Sequence, residues 1–159
     1  MDSSPAPRFT IAPFAPTDLP AVSDLWVGTW AKAMPDIDFE ARRPWFHGHL
    51  EALQAGGAQV LVARAGADMG GSVAGFVAIH PGTRYLDQLA VGPEFWGSGA
   101  ATALMAAARE QSPEGIDLDV NQDNPRAVAF YQRYGFHIAA AATNPTSGRA
   151  IWRMEWRPG

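Results

Sequence analysis

No cysteine occurs in this chain, so disulfides, thiolate nucleophiles and thiolate metal sites are excluded together. Basic residues are also few: 12 Lys and Arg stand against 16 Asp and Glu, for a formal net charge of -4. No Lys/Arg run breaks that balance, so the electrostatic footprint of a duplex-binding protein is missing and nucleic acid is not expected as a partner. Apolar stretches stay well below the roughly 18 residues of a membrane helix, and no membrane partner is expected either. Residues Met1 to Arg8 carry Asp2 and two prolines in place of a basic signal region. They read as a flexible tail on an untargeted, cytoplasmic protein. The four histidines offer no metal set: His47 and His49 stand two apart on a probable helix and point to different sides of it.

The hydrophobic fraction of 47% with only 18% charged residues describes a folded globular chain, and 159 residues suit one domain, 1–159. Phe9 to Phe14 reads as an opening strand, after which Thr17 or Asp18 caps a helix with Val22, Leu25, Trp26 and Trp30 on its apolar face. A second helix is predicted over Glu40 to Leu53, and Gly56-Gly57 ends it. Strands over Gln59–Ala65, Ser72–His80 and Arg84–Val91, separated by Gly70-Gly71 and Pro81-Gly82, form an antiparallel meander. From there the order becomes helix Ala100–Gln111, strand Ile116–Val120, a helix opened by Asn124-Pro125 and closed by Gly135, and strands His137–Ala142 and Ile151–Trp156. That βαβα order favours parallel pairing.

Chemistry concentrates between Leu89 and Leu104, where a strand meets a turn with Gly97 and Gly99 and then a helix. A helix N-terminus with free backbone N–H groups attracts an anion, and glycine lets the main chain approach it closely. No Gly-Lys-Ser/Thr follows, so this is not a Walker loop, and the spacing fits a dinucleotide fingerprint badly. A glycine turn that merely starts a helix remains the plain alternative for this segment on its own.

A second segment, Asn124-Pro-Arg-Ala127-Val-Ala-Phe-Tyr131-Gln-Arg-Tyr-Gly135-Phe136, extends the pattern. Together the two segments, spanning about Ser72 to Phe136, resemble the GCN5-related N-acetyltransferase (GNAT) superfamily. Its fourth strand runs into a Gln/Arg-x-x-Gly-x-Gly/Ala loop, and an Asn-x-x-Ala-x-x-x-Tyr-x-x-x-Gly-Phe helix follows its fifth. The resemblance implies an α/β fold with a mixed, mostly antiparallel central sheet flanked by helices, and a splayed pair of strands that forms the coenzyme A cleft. It also implies an enzyme that transfers acetyl from acetyl-CoA to a primary amine, small molecule or peptide, by direct attack in a ternary complex without a metal. The alternative is a non-catalytic acyl-CoA sensor of the same fold.

Carried over residue by residue, the resemblance places the diphosphate on the amides of Gly97, Ser98, Gly99, Ala100, Ala101 and Thr102. Trp96 stands where the family has Gln or Arg. The main chain of Leu89, Ala90 and Val91 would pair with the pantetheine arm, although Leu89 and Val91 also read as core. Asn124 matches the family's pantetheine-contacting asparagine and equally suits an N-cap. Tyr131 matches the tyrosine beside the departing sulfur, and its helical spacing also allows a core role. Asp119, twelve residues before Tyr131, matches the glutamate base of the ribosomal-protein N-terminal acetyltransferases; Asp87 and His80 are rivals. The acceptor pocket is expected between the first two helices, with Trp26 and Trp30 lining it, Met34, Trp45 and Phe46 nearby, and Asp87 facing it. The alternating run Trp152, Met154, Trp156 is expected to pair with a second subunit in a homodimer.

Overall fold

The computed structural model describes residues 8–66 and 71–159. Residues 1–7 of the expected tail, and Gly70 of an expected turn, lie outside them. Strand β1 (Phe9–Pro13) leads through a 3-10 turn into α1 (Leu19–Ala33), then α2 (Arg43–Ala55). The meander follows as β2 (Gln59–Ala65), β3 (Val73–His80) and β4 (Tyr85–Val91). Then come α3 (Ala100–Gln111), β5 (Ile116–Asn121), α4 (Pro125–Arg133), β6 (His137–Thr143) and β7 (Ala150–Trp156). Each element expected from periodicity is present, with boundaries shifted by at most three residues and those of β2 and α3 unchanged.

All seven strands join one sheet in the order β1-β2-β3-β4-β5-β7-β6. Among the described residues only β4 and β5 run parallel, the pairing that the strand-helix-strand order across α3 favours, while β5–β7 and β6–β7 are antiparallel. The β6–β7 connection is a tight return, with Asn144 N–H donating to Arg149 O and Gly148 N–H to Asn144 O, and it slots β7 antiparallel between β5 and β6. The expectation that β7 offers an edge to another subunit falls for the same reason: both its sides are hydrogen-bonded, and the edges are β1 and β6.

The sheet carries a core on each face. One face packs Leu104, Met105 and Ala108 of α3 against Val77, Ile79, Leu86, Ile116, Leu118 and Met154, with Val128 and Tyr131 of α4 at its margin. The other packs Val22, Leu25 and Trp26 of α1 and Phe46 and Leu50 of α2 against Val60, Val62, Phe76, Ala78 and Ala90. The period-2 pattern of β5, with Ile116, Leu118 and Val120 buried, leaves Asp117, Asp119 and Asn121 on the α1/α2 side.

Asp18 does not cap α1 through its side chain. Its carboxylate is buried and accepts from the Ala15 N–H at 2.9 Å and from Arg64 Nη2 at 2.7 Å, tying the entry of α1 to β2. The Ala15 N–H, opposed by burial and helped by Arg64, holds its pKa below the ordinary value. Asp18→Ala is expected to cost about 2 kcal/mol. A depressed carboxylate contributes stability above its unfolded pKa, near 3.9, and loses it as pH falls through the lower folded value. In thermal melts the gap between wild type and variant should therefore be full at neutral pH and close only below about pH 4.

Candidate active site

Strands β4 and β5 touch through a single register pair, Tyr85 opposite Asp117, backed by the Asp117 N–H on Arg84 O at 2.8 Å. Beyond Tyr85 the two strands part. Leu89, Ala90 and Val91 pair with Val77, Phe76 and Gly75 of β3, so their other side faces the opening. A register shift in the β3–β4 ladder leaves Asp87 as an extra residue between Leu86 and Gln88. Such a bulge re-aims a side chain locally.

The opening ends at the glycine turn. Gly97 and Gly99 have φ of +79° and +97°, the left-handed region where glycine is free of strain. Ser98 fastens the bend by donating from Oγ to Phe95 O, and the Ala100 N–H leans on Ser98 Oγ at 3.4 Å. The amides of Gly97, Gly99, Ala101 and Thr102 have no partner among the described residues. Free amides at a helix N-terminus form an anion cradle. Arg8, read as tail, donates from Nη1 to Ser98 O at 3.1 Å and so braces this bend from behind.

Trp96 is pinned down rather than projecting freely: its indole N–H donates to Val91 O at 2.8 Å. Thr29 Oγ1 donates to the same carbonyl at 3.1 Å, so the Val91 C=O, expected to face pantetheine, is already engaged. Two cations converge on the Trp96 ring, Lys32 of α1 at 5.5 Å from its centroid and Arg126 of α4 at 5.4 Å. Neither has a carboxylate partner among the described residues. Composition alone could not reveal them, since they come from helices 94 residues apart in numbering.

On the far side of the opening, Asn124 caps α4, with the Ala127 N–H donating to its Oδ1 at 3.2 Å. Tyr131 lies half-buried, edge-on to Phe130 at 5.1 Å and to Phe136 at 5.5 Å between ring centroids. Its hydroxyl has no hydrogen-bond partner among the described residues, and burial pushes its pKa up to about 12. A phenol there is 3 to 4 units above a thiol of about 8.5, so beside a thiolate it could donate a hydrogen bond without surrendering its proton.

Asp119 sits on β5 with both oxygens engaged. Oδ1 accepts from Arg153 Nε at 2.6 Å, and Oδ2 from Tyr85 OH at 3.0 Å and Arg153 Nη2 at 3.4 Å. These bonds take three of the roughly four acceptor sites of the carboxylate, so the residue expected as base is tied into an anchor. Burial, then the Asp119 charge, raises the Tyr85 pKa, which keeps that phenol a donor. His80 is occupied as well: the Thr83 N–H donates to Nδ1 at 3.2 Å while Nε2 meets Gly56 O at 2.7 Å, closing two turns.

Asp87 is arranged differently. His49 Nε2 lies 2.6 Å from its Oδ1, and Gln88 Nε2 donates to the same oxygen at 3.2 Å. Oδ2 has no partner among the described residues. Trp45 stacks on the His49 ring at 4.7 Å and is 56% exposed, making it the accessible aromatic of the α1/α2 face. Trp26, expected to line an acceptor pocket, is corrected to core: it is 4% exposed and stacked on Phe46 at 4.5 Å. Trp30 is intermediate, stacked on Phe39 at 6.0 Å. Among the described residues no cluster of three or more His, Cys, Asp or Glu is placed to hold a metal, and no helix is long and apolar enough to cross a membrane.

Residues 19–136 match the family model described as the Acetyltransferase (GNAT) family. The chain is 31% identical over 140 residues to the peptidyl-lysine N-acetyltransferase YiaC of Escherichia coli (strain K12), covering 88% of this chain and 91% of that one. In fold it is similar to a histone acetyltransferase HPA2-related structure from Corynebacterium glutamicum, with a TM-score of 0.73, 19% identity, and 96% and 97% of the two chains covered. A Thermoplasma volcanium Ard1 structure gives a TM-score of 0.68 at 25% identity, covering 94% of this chain and 97% of that one. Motif, sheet topology and relatives therefore converge, and the chain belongs to the GNAT family as an acyltransferase that uses acetyl-CoA as co-substrate.

Proposed function

We propose that this enzyme acetylates the side-chain amine of lysine within a peptide or protein. The observation that carries the reading is the polar surface beside the strand opening. Asp87, Asp117, Asp119 and Glu155 set four carboxylates there against the two guanidinium groups of Arg153 and Arg157. Trp45 flanks this surface through His49. An acidic floor attracts an ammonium group, and an exposed indole accepts the alkyl stem or the charge of a lysine. The likeness to a peptidyl-lysine acetyltransferase supports the same acceptor class.

In this reading the free amides of Gly97, Gly99, Ala101 and Thr102 receive the diphosphate of acetyl-CoA, helped by Ser98 and Ala100, which hold the bend. Lys32 and Arg126 supply, over the Trp96 ring, the positive charge that an arginine side chain at that position would otherwise bring. Leu89 and Ala90 offer main-chain groups to pantetheine, with the Asn124 side-chain amide opposite. The amine attacks the thioester carbon, the C–S bond breaks, and Tyr131 donates a hydrogen bond to the sulfur as it takes the electron pair. A sensor of acyl-CoA without turnover, the other reading of this fold, has no observation in its favour.

The direct test is thiol release from acetyl-CoA with an Nα-blocked, single-lysine peptide. Mass spectrometry should show one acetyl group on the lysine side chain. Acetylation of free α-amines or polyamines with none on the blocked peptide would sink the lysine assignment while leaving acetyl transfer intact.

A further inference from the structure

A lysine amine is almost wholly protonated at neutral pH, and removing its proton costs on the order of 4 kcal/mol, so the reaction needs a proton acceptor within reach of the thioester. Three carboxylates on β4 and β5 stand on this side of the sheet; Asp117 lies where the strands are still joined, opposite Tyr85 and bound to Arg157, and hydrogen bonds separate the other two. Both oxygens of Asp119 already accept hydrogen bonds, from Arg153 and Tyr85. Asp87 receives both its donors, His49 and Gln88, on Oδ1. An ionised carboxylate only accepts, so the proton in the 2.6 Å contact belongs to His49 Nε2. Oδ2 keeps its lone pairs uncommitted.

The backbone places that oxygen well. Tyr85 is the last β4 residue in register with β5, and Asp87 is the bulge residue just beyond it, where the strands begin to part. Contact with His49 of α2 fixes its side chain on the α1/α2 face, the side of the acidic surface and of Trp45. Trp45 in turn holds the imidazole by stacking at 4.7 Å and 12°.

We propose that Asp87 is the proton acceptor of the reaction and that His49, on α2, is the positioning residue that aims it. The inference rests on the lysine reading above. One ammonium proton passes to Asp87 Oδ2, and the neutral nitrogen forms the C–N bond at the thioester carbon. The C–S bond breaks with its electron pair on sulfur, beside the Tyr131 hydroxyl. The second nitrogen proton leaves as the amide forms and protonates the thiolate, and Asp87 returns its proton to solvent.

Asp87→Asn should lower kcat with the lysine peptide about 100-fold or more, the span of general-base contributions, at unchanged acetyl-CoA affinity. Hydroxylamine, a nucleophile already unprotonated at neutral pH, bypasses the base, and the same variant should lose less than about fivefold with it. His49→Leu should cost about tenfold or more with the peptide through misaim of the carboxylate, whereas His49→Gln, which retains an N–H donor of similar reach, should recover most of that. Equal losses toward peptide and hydroxylamine, or His49→Gln no better than His49→Leu, would overturn the proposal. So would full peptide activity in Asp87→Asn. Wild-type enzyme that acetylates hydroxylamine but never the peptide would instead mark failure of the lysine reading, and the base proposal would fall with it.

Discussion

Replacing Tyr131 by phenylalanine is expected to lower kcat by about 100-fold or more while the KM for acetyl-CoA stays within about twofold. The change removes one oxygen and keeps the ring, so the edge contacts with Phe130 and Phe136 persist and the fold should melt at the wild-type temperature. The hydroxyl lacks a partner among the described residues, so no internal hydrogen bond is broken to confuse the result. Its effect belongs to the moment when negative charge gathers on sulfur. A donor in a poorly solvated site then counts for more than it does in water. With the pKa pushed up to about 12 by burial, proton transfer to a thiolate is uphill by about 5 kcal/mol, so the phenol stabilises departure as a donor. Because the folded pKa is raised, the hydroxyl stays protonated through the whole neutral and mildly alkaline range, and no alkaline loss of rate below about pH 10 should trace to it. Unchanged turnover in Tyr131→Phe, or a parallel collapse of acetyl-CoA binding, would contradict the assigned role.

The second large effect is expected at the turn. Gly99→Val and Gly97→Val should each raise the KM for acetyl-CoA about 100-fold. A Cβ at either position meets no atom within 4 Å, so the protein itself leaves room for it. That open space is where a diphosphate would lie, and charge-assisted bonds from the amides contribute about 1.5 to 3 kcal/mol each. Both glycines also have positive φ, and a branched side chain there adds about 1 to 2 kcal/mol of backbone strain. Calorimetric titration with coenzyme A reads the loss of affinity, and melting without ligand reads the strain. Gly28→Ala is the control: on α1, with nothing within 4 Å of its added Cβ, it should raise stability by up to about 1 kcal/mol and leave KM alone. If Gly99→Val kept wild-type affinity, the diphosphate would have to bind elsewhere.

Both effects fall on residues that the sequence marks, the glycines by their turn and Tyr131 by the family resemblance. Positive φ must be encoded locally, so Gly97 and Gly99 announce their turn, and Asn124-Pro125 announces the start of α4 by the same logic. Apolar alternation marked the strands, and the helical spacing of Val22, Leu25 and Trp26 marked the buried side of α1. That same spacing puts Trp26 on the apolar face of α1; its place at an acceptor pocket came from the family resemblance, and the structure keeps it in the core. Trp45 carries the exposed aromatic surface because α2 turns it outward while Phe46, one residue on, turns in to 0% exposure.

Other features rest on meetings between distant segments. His49 and Asp87 are 38 residues apart, Asp119 and Arg153 are 34, and Lys32 and Arg126 reach Trp96 from two different helices. Nothing near Asp119 in the chain shows that Arg153 will take its oxygens. The alternating run of β7 reads equally as an edge or an interior strand, because alternation reports two different faces and says nothing about neighbours in the plane.

The amino-acid sequence alone therefore determined the kinds of elements and the glycine bend, since each depends on conformational preferences of residues adjacent in the chain, while Tyr131 was marked by the family resemblance. Tertiary structure decided the strand order, the parting of β4 from β5 after Tyr85, and how the oxygens of Asp87 and Asp119 are engaged. The reason is that a carboxylate's capacity to take a proton is set by the donors packed around it, and those arrive only when remote strands and helices assemble.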